Sequence, residues 1–269
     1  MSRVWALALI TYKEGVRNRS VYGIVLFALF ILGLNVAVAG FFMRDIGKVT
    51  IDMNLSALSF SGLLLVFFVG LNLMAKDIDK KTIHLVLSKP ISRVEYISGK
   101  YLGILLFVGV CLLVLLAFSS MTVFGLRFLY PDYFEPFSWA AFFLAAFFVY
   151  VKLALLSALV VFFSAITTSS FVTLVFSICS YIVGQTIEEV VFYLQSSLGE
   201  EGVSPALRVF IEGVSHVFPN LAAFDFQIEA AHALTVGAGR FWTSLGYGAV
   251  YIAIVLAAAS LIFRRREFN

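Results

Sequence analysis

The stretch that decides the fold reads SWAAFFLAAFFVYVKLALLSALVVFFSAI and occupies residues 138–166. It carries a single charge, Lys152, and shows no alternation of apolar and polar residues. A helix needs about 20 apolar residues, at about 1.5 Å each, to cross the roughly 30 Å hydrocarbon core of a bilayer. The stretch exceeds that requirement, so it predicts a membrane-spanning helix that tilts, kinks or protrudes.

Five further apolar runs extend this pattern along the chain. The six predicted spans are residues 21–42, 55–75, 101–126, 138–166, 171–191 and 241–263. Only helices and closed barrels satisfy their backbone hydrogen bonds in lipid, and these continuous runs are not those of barrel strands. We therefore expect an all-α integral membrane protein whose residues 1–269 form one domain. Residues 167–170 alone join the fourth and fifth spans, which predicts a tight helical hairpin.

The composition excludes a soluble enzyme. Hydrophobic residues make up 61% of the chain and charged residues 13%, whereas soluble domains carry roughly 25% charge. Cys111 and Cys179 both lie inside apolar runs, so we interpret them as small buried hydrophobic residues rather than as a disulfide or metal site.

The distribution of basic residues predicts that both termini are cytoplasmic. With six spans in that orientation, the inner segments hold thirteen basic and five acidic residues, and the outer segments hold five basic and eleven acidic residues. An excess of lysine and arginine marks the cytoplasmic side of membrane proteins. The inverted topology conflicts with this bias.

The N-terminal residues 2–19 predict an interfacial helix. Its apolar face consists of Trp5, Leu9, Tyr12 and Val16. Lys13 and Arg17 fall elsewhere, a pattern typical of a helix that lies on a membrane surface. No small-residue cleavage site follows the apolar stretch, which argues against a signal peptide. The alternative is a frayed tail.

The inner loop, residues 76–100, reads KDIDKKTIHLVLSKPISRVEYISGK. Acidic residues precede a short apolar stretch, and Pro90 ends the helix that they favour. Ser92 and Glu95 then have the spacing of a capping box, so the third span is predicted to begin near Arg93 and to protrude from the bilayer. Two interpretations stay open: a rigid knob that docks into another protein, or a charged loop that only orients the chain.

Three motifs resemble those of ABC-2-type transporter permeases, the membrane subunits of ATP-binding-cassette transporters. They are KTIHLVLSKPISR at residues 81–93 with GKYLG at 99–103, FPNL at 218–221 with FD at 224–225, and IFRRREF at 262–268. Lys81 departs from the pattern, because the family usually has glycine there. The resemblance implies an N-terminal elbow helix, a cytoplasmic coupling helix at about residues 79–88, and an outer segment, 192–240, with short re-entrant helices.

The resemblance also implies which residues meet the motor. The expected coupling residues and their frame are Thr82, Ile83, Leu85, Leu87, Ser88, Pro90, Ser92, Gly99 and Lys100. Gly99-Lys100 lacks the glycine and hydroxyl residues of a nucleotide-binding P-loop, so ATP and Mg²⁺ are expected on a separate ATPase subunit. We expect no cofactor, metal or catalytic residue in this chain. The expected partners are that ATPase, a second permease copy in a homodimer or heterodimer, and the lipid bilayer of a prokaryotic cell membrane, without nucleic acid.

Lys152 lies midway along the fourth predicted span. A charge at the centre of a bilayer costs about 2.5–3.5 kcal/mol on insertion scales, so its side chain should face protein or water. One interpretation places it on the translocation path. The other is structural, with a backbone carbonyl or a carboxylate as partner, or a kink that brings Lys152 towards an interface.

Two alternatives to an exporter permease are an intramembrane protease and a secondary transporter or channel. Glu188-Glu189 resembles the start of an intramembrane protease motif, but Tyr193 stands where that motif needs arginine, and no HExxH motif is present. A secondary transporter or channel usually has several ionisable residues within its spans. Lys152 with Asn35, Asn72 and Gln185 offers little for ion coupling. The sequence therefore favours the permease of an ATP-driven exporter.

Overall fold

A computed structural model describes residues 3–39, 41, 45–74, 92–195 and 204–265. In this part of the chain every regular element is helical. The helices are α1 (Arg3–Val16), α2 (Arg19–Ala39), α3 (Ile46–Leu64, continued by a π-helical segment Leu65–Gly70 to Met74), α4 (Arg93–Leu129), α5 (Trp139–Ile166), α6 (Ser170–Leu194), α7 (Pro205–Val217), α8 (Gln227–Ala231) and α9 (Ala238–Arg265). Single 3₁₀ turns occupy Pro131–Phe134 and Ala222–Phe224.

Six of these helices, α2 to α6 and α9, are long and apolar enough to cross a membrane. The prediction of an all-α protein with six spans is therefore confirmed. Helices α3 and α5 are mostly buried and form the centre of the bundle, whereas α2, α6 and α9 leave most of their surface exposed. If each of the six helices crosses once, the start of α2, the end of α3, the start of α4, the short link between α5 and α6, and the end of α9 all lie on the same side.

The predicted start of the second span is wrong by nine residues, because α3 begins at Ile46 rather than at Leu55. The missed turns contain polar residues that the bundle buries. The Asn35 and Asn54 side-chain amides both donate to the Thr50 carbonyl, at 3.1 and 2.8 Å, and the Ser119 hydroxyl donates to Asn54 Oδ1 at 2.9 Å. Since these buried groups find partners on neighbouring helices, polarity here does not end the span.

The predicted start of the third span is confirmed. Helix α4 begins at Arg93, and the Ser92 side chain accepts a hydrogen bond from the Glu95 backbone N–H while Glu95 Oε2 accepts one from the Ser92 N–H at 2.7 Å. The helix has 37 residues and is about 55 Å long at about 1.5 Å per residue. It therefore extends well beyond a hydrocarbon core of about 30 Å.

Helix α1 packs along the first turns of α4. Its buried side consists of small residues and one leucine, namely Leu7, Ala8, Thr11 and Gly15. The predicted apolar face points elsewhere: Trp5 and Val16 are exposed, and Leu9 and Tyr12 are half-buried. The helix thus buries one face against the bundle and leaves Trp5 and Val16 exposed on another.

Candidate functional site

A buried lysine joins three helices at the end of the bundle that flanks residues 75–91. The Lys100 side chain on α4 is 4% exposed. Its ammonium donates to the Leu73 carbonyl, in the last turn of α3, at 2.8 Å, and lies 3.7 Å from Glu14 Oε2 on α1. A hydrogen bond from a charged donor contributes about 1.5–3 kcal/mol. Lys100 therefore fixes the end of α3 to α4 and α1 directly before residues 75–91.

Arg93 attaches a fourth helix to the same place. Its Nη1 donates to the carbonyls of Phe263 and Arg264, at 2.8 and 2.9 Å, in the last turn of α9. These carbonyls belong to the group that lacks partners within its own helix, and a cation suits the negative end of the helix dipole. The Tyr96 and Phe263 rings stack with centroids 5.5 Å apart. We call Glu14, Leu73, Arg93, Lys100 and Phe263 the joint.

Two glycines on α4 permit the close approach of α1. A Cβ atom added at Gly99 would lie 2.8 Å from Leu7 Cδ2, and one added at Gly103 would lie 2.5 Å from Thr11 Cβ and 2.8 Å from the Ala8 carbonyl oxygen. Gly125, on the same helix, has no such neighbour within 4 Å. The GKYLG motif thus combines the lysine of the joint with the two glycines that let α1 reach it.

The predicted coupling residues divide between the joint and residues that the structure does not describe. Thr82, Ile83, Leu85, Leu87, Ser88 and Pro90 lie outside the described residues. Ser92 caps α4, Gly99 contacts α1 and Lys100 lies in the joint. The joint therefore holds the chain on both sides of residues 75–91, through Leu73 before them and Arg93 after them.

At the opposite end of the bundle, residues 218–231 insert between the membrane-spanning helices. We call them the inserted segment. The Leu221 backbone N–H donates to the Gly184 carbonyl at 2.8 Å, and a Cβ at Gly184 would lie 2.5 Å from the Pro219 carbonyl oxygen. Gly184 is ten residues from the end of α6 at Leu194, a depth of about 15 Å along the helix. The segment is therefore packed deep in the bundle rather than over its surface.

Aromatic rings anchor the inserted segment to α5 and α9. The rings of Phe226 and Phe148 stack with centroids 4.3 Å apart, and a Cβ at Gly248 would lie 3.0 Å from the Phe224 ring. Arg240 lies over the ring of Phe226, with its guanidinium carbon 4.5 Å from the ring centroid, and it forms an ion pair with Glu229.

Asn220 links the segment to two spans. Its backbone N–H donates to the Tyr247 hydroxyl at 2.8 Å, and its side-chain amide donates to Glu188 Oε2 at 2.9 Å. The FPNL and FD motifs therefore supply packing and hydrogen bonds that hold the segment in place.

Lys152 is a second buried lysine, and it lies near the inserted segment. Its side chain is 3% exposed, and in the described ranges its ammonium makes no hydrogen bond or ion pair. The carboxylate of Asp225, in the FD motif, is close enough to act electrostatically on Lys152 and also on Asp52 of α3 and Tyr181 of α6. Lys152 is thus buried without a direct polar partner among the described residues, and the carboxylate of Asp225 lies near it.

Sequence reasoning missed several residues of these two regions. Glu14, Leu73 and Asp225 received no role, because each one meets its partner only in the folded bundle. Only Asp225 had a signal in the sequence, as the last residue of the FD motif. Within the residues that the structure covers, no group of three or more His, Cys, Asp or Glu side chains is arranged to hold a metal ion.

The fold and its two ends define a multi-pass helical membrane protein with a polar joint at one end and a chain segment inserted into the other. The family model described as ABC-2 family transporter protein matches residues 5–268, and the chain belongs to that family. It is accordingly a membrane permease of an ATP-binding-cassette transporter, which confirms the resemblance read from the motifs. A comparison with curated proteins finds no match.

Proposed function

We propose that this chain is the permease subunit of an ATP-driven exporter, in which hydrolysis on a separate ATPase subunit drives a substrate out of the cell. The joint is the observation that carries this proposal. Four helices, α1, α3, α4 and α9, are fixed to one another close to Met74 and Ser92, the described residues on either side of residues 75–91. A force applied to that segment would act on all four helices together.

In the proposed mechanism, residues 79–88 dock into the ATPase subunit, which binds ATP and Mg²⁺. Closure of the ATPase displaces this segment, and the displacement passes into α3 through Leu73 and into α4 through Arg93. Because Lys100 attaches both helices to Glu14, α1 moves with them along the membrane surface. The joint converts a local displacement into the movement of a rigid group of helices.

The inserted segment would close the opposite, outer side of the translocation path. Its contacts with α6 and α9 run through Gly184 and Asn220, and its Asp225 stays near Lys152. We place Lys152 on that path. Withdrawal of the segment would move Asp225 away from Lys152, and the exposed ammonium would then face the substrate or water.

The charges of the joint end support its assignment to the cytoplasm. Arg93, Lys100, Arg264 and Arg265 lie there, with Lys13 and Arg17 on α1. This orientation places both termini inside a prokaryotic cell, with the plasma membrane as the location. A second permease copy, identical or homologous, would complete the path, and two ATPase subunits would complete the transporter.

The test is a double substitution in the proposed docking surface. The complex is purified from the membranes of the source cells with its ATPase and reconstituted in liposomes. Leu85→Glu with Leu87→Glu is expected to leave ATP hydrolysis measurable and to abolish its coupling to export, because charged residues would not pack in an apolar cleft. The matched control is Leu207→Glu, on the exposed helix α7 of the other end.

Normal ATP-dependent export by the double variant would overturn the proposal. So would transport that an ion gradient drives in liposomes without any ATPase, since a secondary transporter would behave in that way. Insertion is checked by size-exclusion chromatography of each variant, so that a folding defect is not counted as uncoupling.

A further inference from the structure

A polar cleft lies between the second half of α1 and the end of α3, next to the joint. Its volume is about 670 Å³, and its lining includes Lys13 of α1, Arg17 and Asn18 just after α1, and Asn72 of α3. The mechanism proposed above gives these side chains no role, and the charges of Lys13 and Arg17 enter only the assignment of this end of the bundle to the cytoplasm. The cleft is large enough for a small polar group rather than for a single water molecule.

The charges in the cleft favour an anion. Lys13 and Arg17 are four residues apart on or just after α1, so their side chains lie on the same side of it. Both are exposed, and in the region that the structure describes neither side chain makes an ion pair or a hydrogen bond. Among the described residues of the lining, Glu14 is the one that is acidic, and its carboxylate already faces Lys100 at 3.7 Å.

Two side-chain amides add hydrogen-bonding capacity beside these cations. Asn18 Oδ1 accepts from the Ser20 backbone N–H at 3.0 Å, which leaves the amide N–H₂ of Asn18 to donate. Asn72, near the end of α3, also lines the cleft; its side-chain amide donates one hydrogen bond to the Phe68 carbonyl and has a second N–H. A guanidinium, an ammonium and a neutral amide donor together match the oxygens of a phosphodiester.

The position of α1 identifies the source of such a phosphate. Its outward face carries Trp5 and Val16, both exposed, and the spans α2 and α3 start from or end beside it. Aromatic residues with basic neighbours lie at the level of lipid headgroups. The cleft therefore opens where phospholipid phosphates are concentrated.

We propose that the cleft between α1 and α3 binds the headgroup of an anionic phospholipid, with Lys13 and Arg17 as its cationic ligands. The acyl chains extend along the exposed apolar surface of the bundle. A bound lipid would hold α1 against the end of α3 in addition to Lys100. The proposal depends on the cleft and its charges, and it holds whether or not ATP drives transport.

The experiment is native mass spectrometry of the full chain, titrated in detergent with phosphatidylglycerol, phosphatidylcholine or inorganic phosphate. The wild type is expected to retain phosphatidylglycerol in preference to phosphatidylcholine. Lys13→Gln with Arg17→Gln should weaken phosphatidylglycerol binding about thirtyfold, the loss that follows from removing two basic residues that each favour an anionic lipid surface. Circular dichroism verifies that the variant keeps its helices.

Two further variants make the result specific. The charge-conserving pair Lys13→Arg with Arg17→Lys should retain at least a third of the wild-type affinity. The control pair Lys48→Gln with Arg208→Gln removes two basic residues that already have acidic partners at the other end, and it should bind as the wild type does.

Three results would each overturn the proposal. They are equal affinities of the wild type and the Gln variant for phosphatidylglycerol, equal affinities of the wild type for the two lipids, and displacement of the lipid by millimolar inorganic phosphate. The last result would indicate a site for free anions. A failure of any of these tests would leave the proposed ATP coupling unaffected, because that proposal rests on residues 79–88 and the joint.

Discussion

The chain buries two lysines, and their surroundings differ. Lys100, 4% exposed, donates to the Leu73 carbonyl and faces Glu14, whereas Lys152, 3% exposed, makes no direct polar contact within the described ranges and has Asp225 only nearby. Burial of a charge is costly unless it is paired and hydrogen-bonded. Lys100 therefore stabilises the folded bundle, whereas Lys152 lowers its stability at a position that we place on the translocation path.

This difference separates the two ends of the bundle by their mechanical roles. The joint combines the Lys100–Glu14 ion pair with hydrogen bonds to helix-end carbonyls, and close glycine contacts lie beside it, as expected of a part that transmits force without deforming. The inserted segment is attached by rings and hydrogen bonds to α5, α6 and α9, with an incompletely compensated charge beneath it. As a proposed gate, the inserted segment must be held firmly enough to close the path and loosely enough to open it. A direct ion pair between Asp225 and Lys152 would favour the closed state.

The largest loss of stability is expected for Lys100→Met. The substitution keeps most of the length of the side chain but leaves the Leu73 carbonyl without its charged donor. The carboxylate of Glu14 is half-exposed, so water can solvate it in the variant. We expect the free energy of unfolding to fall by about 2–3 kcal/mol, measured by SDS titration in mixed micelles. Lys48→Met, which removes an exposed ion pair with Asp45, should cost below about 0.5 kcal/mol. Equal losses of stability for the two variants would contradict the claim that Lys100 holds α1, α3 and α4 together.

A comparable loss is expected for Gly103→Ala. The added methyl group would overlap Thr11 and the Ala8 carbonyl oxygen, and α1 would have to move away from α4. Overpacking of this kind costs about 1–3 kcal/mol. Gly125→Ala on the same helix meets no atom within 4 Å and should stabilise by about 0.5–1 kcal/mol through helix propensity. The same titration measures both, and a loss of stability in Gly125→Ala would indicate a general effect of glycine replacement.

A smaller loss is expected for Asp225→Asn, because Lys152 would then lack its opposite charge. We expect a decrease of about 1–1.5 kcal/mol that disappears when Lys152→Met is added, since neighbouring charges give non-additive energies of about 0.5–3 kcal/mol. The measurement is a double-mutant cycle of SDS titrations. Additive changes would show that the two residues do not act on each other.

The smallest effect on stability, and one of opposite sign, is expected for Lys152→Met. Replacing a buried charge with an apolar side chain of similar length is often stabilising, and we expect a gain of up to about 1 kcal/mol. Export by the reconstituted transporter should nevertheless fall, because the proposed path would lose its charge. A variant that is more stable and exports at the wild-type rate would assign Lys152 to structure alone.

Much of the fold follows from the sequence because bilayer thickness imposes a length on each span. The apolar runs located all six spans, and the spacing of Ser92 and Glu95 located the start of α4 within a residue, since a capping box is a local motif. The predicted start of α3 is wrong because the polar residues Thr50 and Asn54 resemble a loop before a membrane span. In the structure they lie inside the helix and bond to buried side chains of α2 and α4.

The candidate sites follow from the sequence only in part. The motifs drew attention to Gly99, Lys100 and Asp225, but they could not show that Lys100 bonds Leu73, 27 residues earlier in the chain, or that Asp225 approaches Lys152. Such contacts depend on how the helices pack, and no local spacing encodes them. The packing role of the small residues on α1 likewise depends on a contact between helices, that of Thr11 with Gly103, which the sequence alone does not show.

The most direct test of the central proposal is site-specific photo-crosslinking from residues 79–88. A photoreactive phenylalanine analogue is placed at position 85 and, as a control, at position 133 between α4 and α5, at the other end of the bundle. Illumination of membranes from source cells should join position 85, and not position 133, to a protein that mass spectrometry identifies as an ATP-binding-cassette subunit. An adduct with that subunit from position 133, or none from position 85, would contradict the account.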